Sequence, residues 1–281
     1  LFRSMVNQKD GPSVAIVSFS PTGTTERVTD AIAAAMGAAD PVRWNITVPG
    51  GREELARAVV DGPPVFDVWV VGAPVYSGKL PPLAVEALQG LRLDGQRAVR
   101  CVTYGNNEYG TALRDLTRLL DEAGATVVAS GAFIGEHSFS AAFPIAIGRP
   151  DAADIEAAGE FGRSALARAE AAGGVSWEQL GGKIKLSTKM LPAKGPQPVV
   201  DHDLCTKCLT CVEHCPVGIL DGETIDYLDA AAKKRCLGCM SCVKRCPEGA
   251  RSFEIPAPFK PILKRVFAEP MTRRREPFVV T

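Results

Sequence analysis

The composition of this 281-residue chain excludes several classes of protein. Lys plus Arg and Asp plus Glu are equal at 32 each, so no excess of positive charge indicates a nucleic-acid partner. No apolar run reaches the ~18 residues of a membrane-spanning helix, and the first residues lack the apolar stretch of a secretion signal. We therefore expect a soluble cytoplasmic protein that does not span a membrane.

The cysteines divide the chain into two chemically different parts. Only Cys101 falls within residues 1–172, whereas the other eight of nine cysteines lie between 205 and 246. An odd total argues against a secreted disulfide framework, and the length accommodates two domains of about 100 to 200 residues. The predicted organisation is a first domain at 13–172, a Gly-, Pro- and Lys-rich connector at 173–198, a second domain at 199–255 and a Pro-rich basic tail at 256–281.

Strand-like and helix-like segments alternate through the first domain. Short apolar or β-branched runs, bounded by Gly, Pro, Asn or Asp, indicate strands, and residues 151–173 have the pattern of a long amphipathic helix opened by Asp151. Such alternation predicts an α/β fold, a five-stranded parallel sheet with helices on both faces. The predicted strands are 14–19, 42–47, 65–73, 97–105 and 126–134.

The loop after the first predicted strand, SFSPTGTTERV, has the features of a phosphate site. Its glycine lets the backbone curl, its side chains offer four hydroxyls, and the amides at the start of the following helix attract an anion. The Walker and dinucleotide motifs are absent. A well-capped helix without a ligand is the alternative, but it accounts for one or two hydroxyls only. The predicted phosphate-binding residues are Ser20, Thr22, Gly23, Thr24 and Thr25.

With the five-strand alternation, the stretch Ser20-x-Thr22-Gly23-x-Thr25 resembles the phosphate loop of flavodoxins. The resemblance covers residues 13–172 and implies FMN as cofactor, with its ring beyond the carboxyl ends of the third and fourth strands. It also implies that the Ser77–Gly78 peptide turns its carbonyl toward flavin N5 on one-electron reduction. Packing is the alternative role for each tyrosine. The implied ring contacts are Pro74, Val75, Tyr76, Ser77, Gly78, Tyr104, Gly105, Asn106, Asn107 and Tyr109.

Among these residues, Tyr76 is the preferred stacking candidate, and the two asparagines are suited to the pyrimidine edge of the ring. A third loop, 135–151, is longer than a tight connection needs. In that loop His137 and Ser138 either approach the flavin or belong to a packed surface loop, which we favour.

Two cysteine runs share the spacing C-x₂-C-x₂-C-x₃-C-P, and the second follows the first by 31 residues. This spacing is typical of bacterial proteins with two 4Fe–4S clusters, in which the fourth cysteine of each run ligates the other cluster. Zinc is the alternative, although zinc sites usually separate two CxxC pairs by a longer spacer. The predicted ligands are Cys205, Cys208, Cys211 and Cys246 for one cluster (site A), and Cys236, Cys239, Cys242 and Cys215 for the other (site B).

Residues 199–255 thus resemble a bacterial-type two-cluster ferredoxin, a small α+β domain. Many such ferredoxins are acidic, whereas Lys and Arg surround these cysteine runs. Nearby cations favour the reduced cluster and raise its potential, unless they simply form a mixed solvated surface.

The whole chain resembles the ferredoxin/flavodoxin fusion proteins of anaerobic bacteria and archaea. The resemblance implies a low-potential electron-transfer protein, which passes electrons between two 4Fe–4S clusters and FMN and on to a partner oxidoreductase. The alternative is an FMN-dependent reductase of a quinone or another small organic acceptor, fed by its own ferredoxin domain. A purely structural or regulatory role is least favoured, because it gives the predicted phosphate loop no function.

The tail contains five prolines, which argue against a long helix and predict a segment that wraps the surface or is partly disordered. Arg273, Arg274 and Arg275 either dock an acidic partner or form a solvated end.

Overall fold

The structure is a computed structural model and describes residues 11–171 and 197–281. Nearly all of the predicted connector lies outside these residues. Within the two described ranges, no helix combines the length and the apolarity needed to cross a membrane.

A six-stranded sheet with the order β2-β1-β3-β4-β5-β8 forms the centre of the first domain. Strands β1 to β5 are parallel, as predicted, and their ends fall within three residues of the predicted bounds. Strand β8 comes from the C-terminus and pairs antiparallel with Ser130–Ala132 of β5. The strands are β1 Val14–Ser18, β2 Val42–Asn45, β3 Val68–Pro74, β4 Arg97–Tyr104, β5 Thr126–Ile134 and β8 Phe278–Val280.

Helices cover both faces of this sheet, so the inner strands are apolar along their whole length. Helices α1 and α5 bury one face, and α2, α3 and α4 bury the other. As predicted, Asp151 caps α5, because its carboxylate accepts hydrogen bonds from the amides of Ala153 and Asp154. The helices are α1 Thr24–Ala35, α2 Pro49–Val59, α3 Pro82–Gln89, α4 Ala112–Glu122 and α5 Ala152–Glu170.

The cysteine-rich region repeats its backbone as well as its sequence. Strands β6 (Val199–Val200) and β7 (Arg251–Ser252) pair antiparallel, and the short helices α6 (Thr210–Glu213), α7 (Ala230–Lys234) and α8 (Ser241–Lys244) lie between them in the chain. Helix α8 follows α6 by the same 31 residues as the cysteines. Three pairs of residues with this separation have positive φ: Lys207 and Gly238, Leu209 and Met240, Gly218 and Gly249.

The C-terminal segment corrects the prediction for the tail. Residues Lys260–Thr272 form a 13-residue helix, α9, which precedes β8. Pro261 lies in the first turn, where its missing N–H is not needed, and Pro270 lies close to the end. Between them Leu263 and Phe267 are buried, so apolar packing stabilises a helix that the prolines argued against.

The three tail arginines form bonds within the chain. Arg273 pairs with Glu269 and donates to the carbonyl oxygens of Asn106 and Asn107, at 3.2 and 2.9 Å. Arg274 pairs with Asp151 and Arg275 pairs with Glu108, each at 2.7 Å. The three arginines are thus paired within the chain, and the Arg274 side chain remains half-exposed.

Candidate functional site

The carboxyl ends of β1, β3, β4 and β5 surround a cavity of about 670 Å³, which we call the flavin cavity. This volume lies within the range of small-molecule sites. Parallel strands end at one edge of the sheet, so the loops that follow them converge there. The lining residues are Thr22 and Thr24 after β1, Pro74 to Gly78 around the end of β3, Thr103 to Gly105 with Asn107 and Glu108 around the end of β4, Gly135 to Ser138 after β5, and Arg265, Val266 and Glu269 of α9.

The predicted phosphate loop curls at Gly23, which has φ 82° and caps α1. Thr22 and Thr24 line the flavin cavity. Ser20 and Thr25 are buried and have partners inside the protein, because Ser20 Oγ accepts from the amide of Glu26 at 3.0 Å and Thr25 Oγ1 lies 2.5 Å from Thr103 Oγ1. The structure therefore brings two of the four predicted hydroxyls to the cavity.

The loop that follows β3 is a tight turn. Tyr76 and Lys79 exchange both backbone hydrogen bonds, at 2.8 and 3.0 Å, and the two residues between them, Ser77 and Gly78, have φ of 51° and 79°. This is the geometry of a two-residue hairpin turn. Gly110, in the loop that follows β4, packs against this turn so closely that a Cβ at this position would lie 2.4 Å from the Gly78 carbonyl oxygen.

Two of the three predicted tyrosines line the flavin cavity. Tyr76 is half-buried there, and Tyr104 is buried at the end of β4. Tyr109 has the packing role, since its ring lies 6.1 Å from Phe278 of β8 and 5.4 Å from Tyr104. Tyr76 and Tyr104 remain the stacking candidates.

The two predicted asparagines have different surroundings. The side-chain nitrogen of Asn106 donates to the carbonyl oxygens of Pro270 and Arg273 at 2.9 and 2.8 Å, and its oxygen accepts from the amide of Arg275. Asn106 thus anchors the C-terminal segment, whereas Asn107 lines the cavity. Of the two, Asn107 is left as the candidate for the pyrimidine edge.

Two parts of the cavity wall are absent from the sequence-based set. Glu136, His137 and Ser138 follow β5 and line the cavity, although we favoured a packed surface loop for the histidine and the serine. Burial, with a smaller contribution from the charge of Lys244, lowers the pKa of His137 to about 4. The other part is α9, which no local motif placed near this edge of the sheet.

Site A combines cysteines of both runs. Cys205, Cys208, Cys211 and Cys246 line one cavity, which they share with Arg251. Arg251 is buried, and its Nη2 lies 3.6 Å from Cys211 Sγ. The fold therefore brings the fourth cysteine of the second run to the first three of the other run.

At site B, Ser241 Oγ lies 3.2 Å from the carbonyl oxygen of His214, so the residues that precede Cys242 and Cys215 are in contact. Burial is the main cause that raises the pKa of the Cys239 and Cys242 thiols, the latter to about 12, and the charges of Cys215 and Cys236 act in the same direction on both. Such thiols bind metal only when their protons are released. No group of three or more His, Cys, Asp or Glu in the described ranges is arranged to hold a single metal ion.

Site B lies on the side of its domain that contacts the first domain. Burial raises the pKa of Tyr76 of the flavin cavity well above its usual value, and the charges of Cys239 and Cys236 act in the same direction. Leu237, between the same cysteines, packs against the core of the first domain. Site A has the exposed cysteine, Cys208.

Polar contacts fix the position of the cysteine-rich domain on the first domain. Ser241 Oγ and Arg245 Nε both donate to the carbonyl oxygen of Pro21, at 2.7 and 2.9 Å. Lys244 Nζ lies 2.5 Å from a carboxylate oxygen of Glu136, beside the flavin cavity. On the other side, Arg52 Nη2 donates to the carbonyl oxygen of Pro216 at 2.9 Å.

Comparison with known proteins agrees with this division of the chain. Residues 204–251 match the family model described as a 4Fe-4S dicluster domain. No curated protein matches the chain.

Several solved structures resemble the chain. A flavodoxin from Streptococcus pneumonia TIGR4 has 21% identity and a TM-score of 0.39, over 55% of this chain and 98% of its own. Flavodoxin 2 from Bacillus cereus has 20% identity and a TM-score of 0.41, over 55% and 97%. The rubredoxin oxygen:oxidoreductase of Desulfovibrio gigas has 13% identity and a TM-score of 0.37, over 57% of this chain but only 36% of its own length.

The strand order β2-β1-β3-β4-β5 is the flavodoxin-like order of doubly wound sheets. The chain therefore joins a flavodoxin-like domain to a 4Fe–4S dicluster domain, which confirms the predicted fold class and the predicted combination of modules.

Proposed function

We propose that the chain is a low-potential electron-transfer protein, which holds one FMN and two 4Fe–4S clusters and exchanges electrons with a partner oxidoreductase. When bound, the clusters transfer single electrons, and FMN accepts or donates one or two. The chain itself supplies the positions of the three centres and the protein between them.

The residues of the flavin cavity fit FMN. The cavity lies where the strand order reverses between β1 and β3, which is the place where doubly wound sheets bind FMN. The Thr22 and Thr24 hydroxyls and the start of α1 suit a phosphate, and Tyr76 and Tyr104 offer aromatic surface for a ring.

The cysteine sites fit two clusters. In the proposed ligand sets each site draws three cysteines from one run and one from the other, as the spacing of two-cluster ferredoxins requires, and the site A cysteines line one cavity. Thiolates are the ligands that iron–sulfur clusters use, and the buried surroundings of Cys239 and Cys242 suit a site closed to solvent.

The observation that carries the proposal is the contact between the site B loops and the first domain beside the flavin cavity. Ser241, next to Cys242, donates to the carbonyl oxygen of Pro21 in the predicted phosphate loop at 2.7 Å, and Leu237, between Cys236 and Cys239, packs against the core of the first domain. A cluster at site B and a flavin in the cavity would therefore be neighbours within one chain. Site A, with its exposed cysteine, would be the point of exchange with the partner.

Polar side chains in the wall of the flavin cavity favour a second candidate function, reduction of a small organic molecule such as a quinone. His137 from the third loop and Arg265 and Glu269 from α9 add polar groups around the cavity. These side chains give the cavity the means to orient a small acceptor.

Anaerobic reduction of the purified chain distinguishes the two functions. We expect roughly eight iron atoms and one FMN per chain. The reduced protein is then mixed with menadione as a quinone, or with cytochrome c as a protein acceptor. Rapid reoxidation by cytochrome c alone supports the carrier, and many turnovers with menadione alone support the reductase. Zinc in place of iron, or no flavin bound after FMN is supplied, refutes both functions.

A further inference from the structure

The loop that we propose for the FMN phosphate has no positive charge of its own. Residues 20–25 are Ser, Pro, Thr, Gly, Thr and Thr. Two of these hydroxyls have partners inside the protein, as described above. A phosphate there would meet Thr22, Thr24 and the amides at the start of α1, which provide hydrogen bonds and a partial dipole but no full charge.

Positive side chains surround this loop from outside it. A second cavity, of about 610 Å³, shares Thr22, Thr24 and Glu136 with the flavin cavity and is lined by four cations and three carboxylates. Three of the four have acceptors within the chain. Arg27 donates to the Pro150 carbonyl oxygen at 2.6 Å, Arg149 Nε donates to the Asp154 carboxylate at 2.6 Å, and Lys244 pairs with Glu136 at 2.5 Å.

Arg245 is the fourth cation. One hydrogen bond holds its guanidinium in place, and the other N–H groups are available to a ligand. Its Nε donates to the Pro21 carbonyl oxygen at 2.9 Å, within the phosphate loop. Its Nη2 lies 3.9 Å from the point that a Cβ on Gly23 would occupy. Among the described residues, neither terminal nitrogen of Arg245 has a hydrogen-bond partner.

We propose that Arg245 binds the FMN phosphate, so that the dicluster domain supplies part of the cofactor site of the flavodoxin-like domain. This inference rests on the proposed FMN site. An arginine fork matches the geometry of phosphate oxygens, and charge-assisted hydrogen bonds are about twice as strong as neutral ones. Arg245 is followed directly by Cys246 of site A, so retention of FMN depends on an intact dicluster domain.

The test is a titration of the cluster-loaded full chain, freed of flavin, with FMN and with riboflavin, followed by flavin fluorescence. Riboflavin has the same ring but no phosphate. For Arg245→Gln we expect the Kd for FMN to rise at least tenfold, ~1.4 kcal/mol, with the Kd for riboflavin unchanged. The FMN affinity of the variant should also depend less on salt.

Arg235→Gln is the matched control. Arg235 also precedes a cluster cysteine, but it is exposed and lines neither of the two cavities. We expect wild-type affinity for both flavins and wild-type iron content. Arg245→Lys keeps the charge without the fork, so its FMN affinity should fall between those of wild type and Arg245→Gln; it replaces the glutamine variant if that one fails to fold.

Two results overturn the inference: an unchanged FMN affinity in Arg245→Gln, or an equal loss of FMN and riboflavin, which marks a purely structural role at the domain contact. A wild-type chain that binds neither flavin refutes the proposed function instead.

Discussion

Arg251 places a buried positive charge between the two cysteine sites. It is only 4% exposed, its Nη2 lies 3.6 Å from Cys211 Sγ of site A, and its charge partly opposes the burial that raises the pKa of Cys242 of site B. A cation in such a place stabilises the more negative, reduced state of a cluster. The raised potential that the basic sequence suggested thus has one specific residue as its candidate cause.

We expect Arg251→Gln to shift the midpoint potential of at least one cluster to more negative values by at least roughly 60 mV, ~1.4 kcal/mol for one electron. This is the interaction of two unit charges about 12 Å apart at an effective dielectric constant of about 20. Redox titration followed by EPR measures the shift. Arg251→Lys keeps the charge and should stay near the wild-type potential. Equal shifts in both variants would contradict an electrostatic role.

Arg100 is a second buried cation. It is fully buried in β4 opposite Ser130 of β5, and none of its guanidinium nitrogens has a hydrogen-bond partner among the described residues. Burial lowers its pKa to about 10, so the group remains charged at neutral pH. The charge of Asp121 on α4 favours the charged form, but a buried charge without hydrogen bonds costs several kcal/mol.

Replacing Arg100 with an apolar side chain of similar length should therefore stabilise the fold. We expect Arg100→Met to raise the free energy of unfolding by ~1–3 kcal/mol in chemical denaturation. Arg97→Met, at an exposed position on the same strand, should change it by less than ~0.5 kcal/mol. A less stable Arg100→Met protein would show that the guanidinium has a stabilising partner.

At the level of elements, α9 and β8 complete the flavodoxin-like domain from the far end of the chain. Phe267 of α9 is fully buried, with its ring 4.9 Å from His137 and 5.3 Å from Phe143. Helix α9 thereby closes one wall of the flavin cavity, and β8 covers the edge of β5.

We expect Phe267→Ala to loosen this wall, because removal of a buried phenylalanine leaves a cavity and costs ~3–5 kcal/mol locally. FMN should dissociate faster from the variant, as measured by release of flavin fluorescence. Ile262→Ala on the same helix is the control, since Ile262 is 56% exposed. Equal release rates in the two variants would show that α9 does not retain the cofactor.

The elements of the fold differ in how far the sequence could predict them. The five parallel strands and the cap of α5 follow from local patterns, which short-range sterics and capping determine. The docking of α9 depends on Asn106 and Phe143, more than 120 residues away in the chain, and no local pattern encodes such contacts. The prolines of the tail gave a local signal against a helix, and tertiary packing overrode it.

The candidate site divides in the same way. Cysteine spacing predicts which sulfurs meet at site A, because that information lies in short loops. Sequence did not distinguish Asn106 from Asn107, since the distinction depends on how the C-terminal segment packs. The contribution of Arg245 likewise depends on where the dicluster domain sits.

At the level of the whole molecule, the two domains are joined so that Leu237 and Ser241 of the site B loops contact the first domain beside the flavin cavity. A contact of this kind would make exchange between a cluster and a flavin independent of diffusion. The alternative arrangement, in which two tethered carriers each wait for an external partner, requires no such contact.

Flash photoreduction of the loaded chain tests this most directly. A single electron is delivered anaerobically, and its redistribution between the cluster and flavin absorbance bands is followed over a tenfold range of protein concentration. We expect first-order exchange with a rate that does not change with concentration. A rate that rises in proportion to protein concentration would contradict the account, because it would show that electrons pass between molecules rather than within one chain.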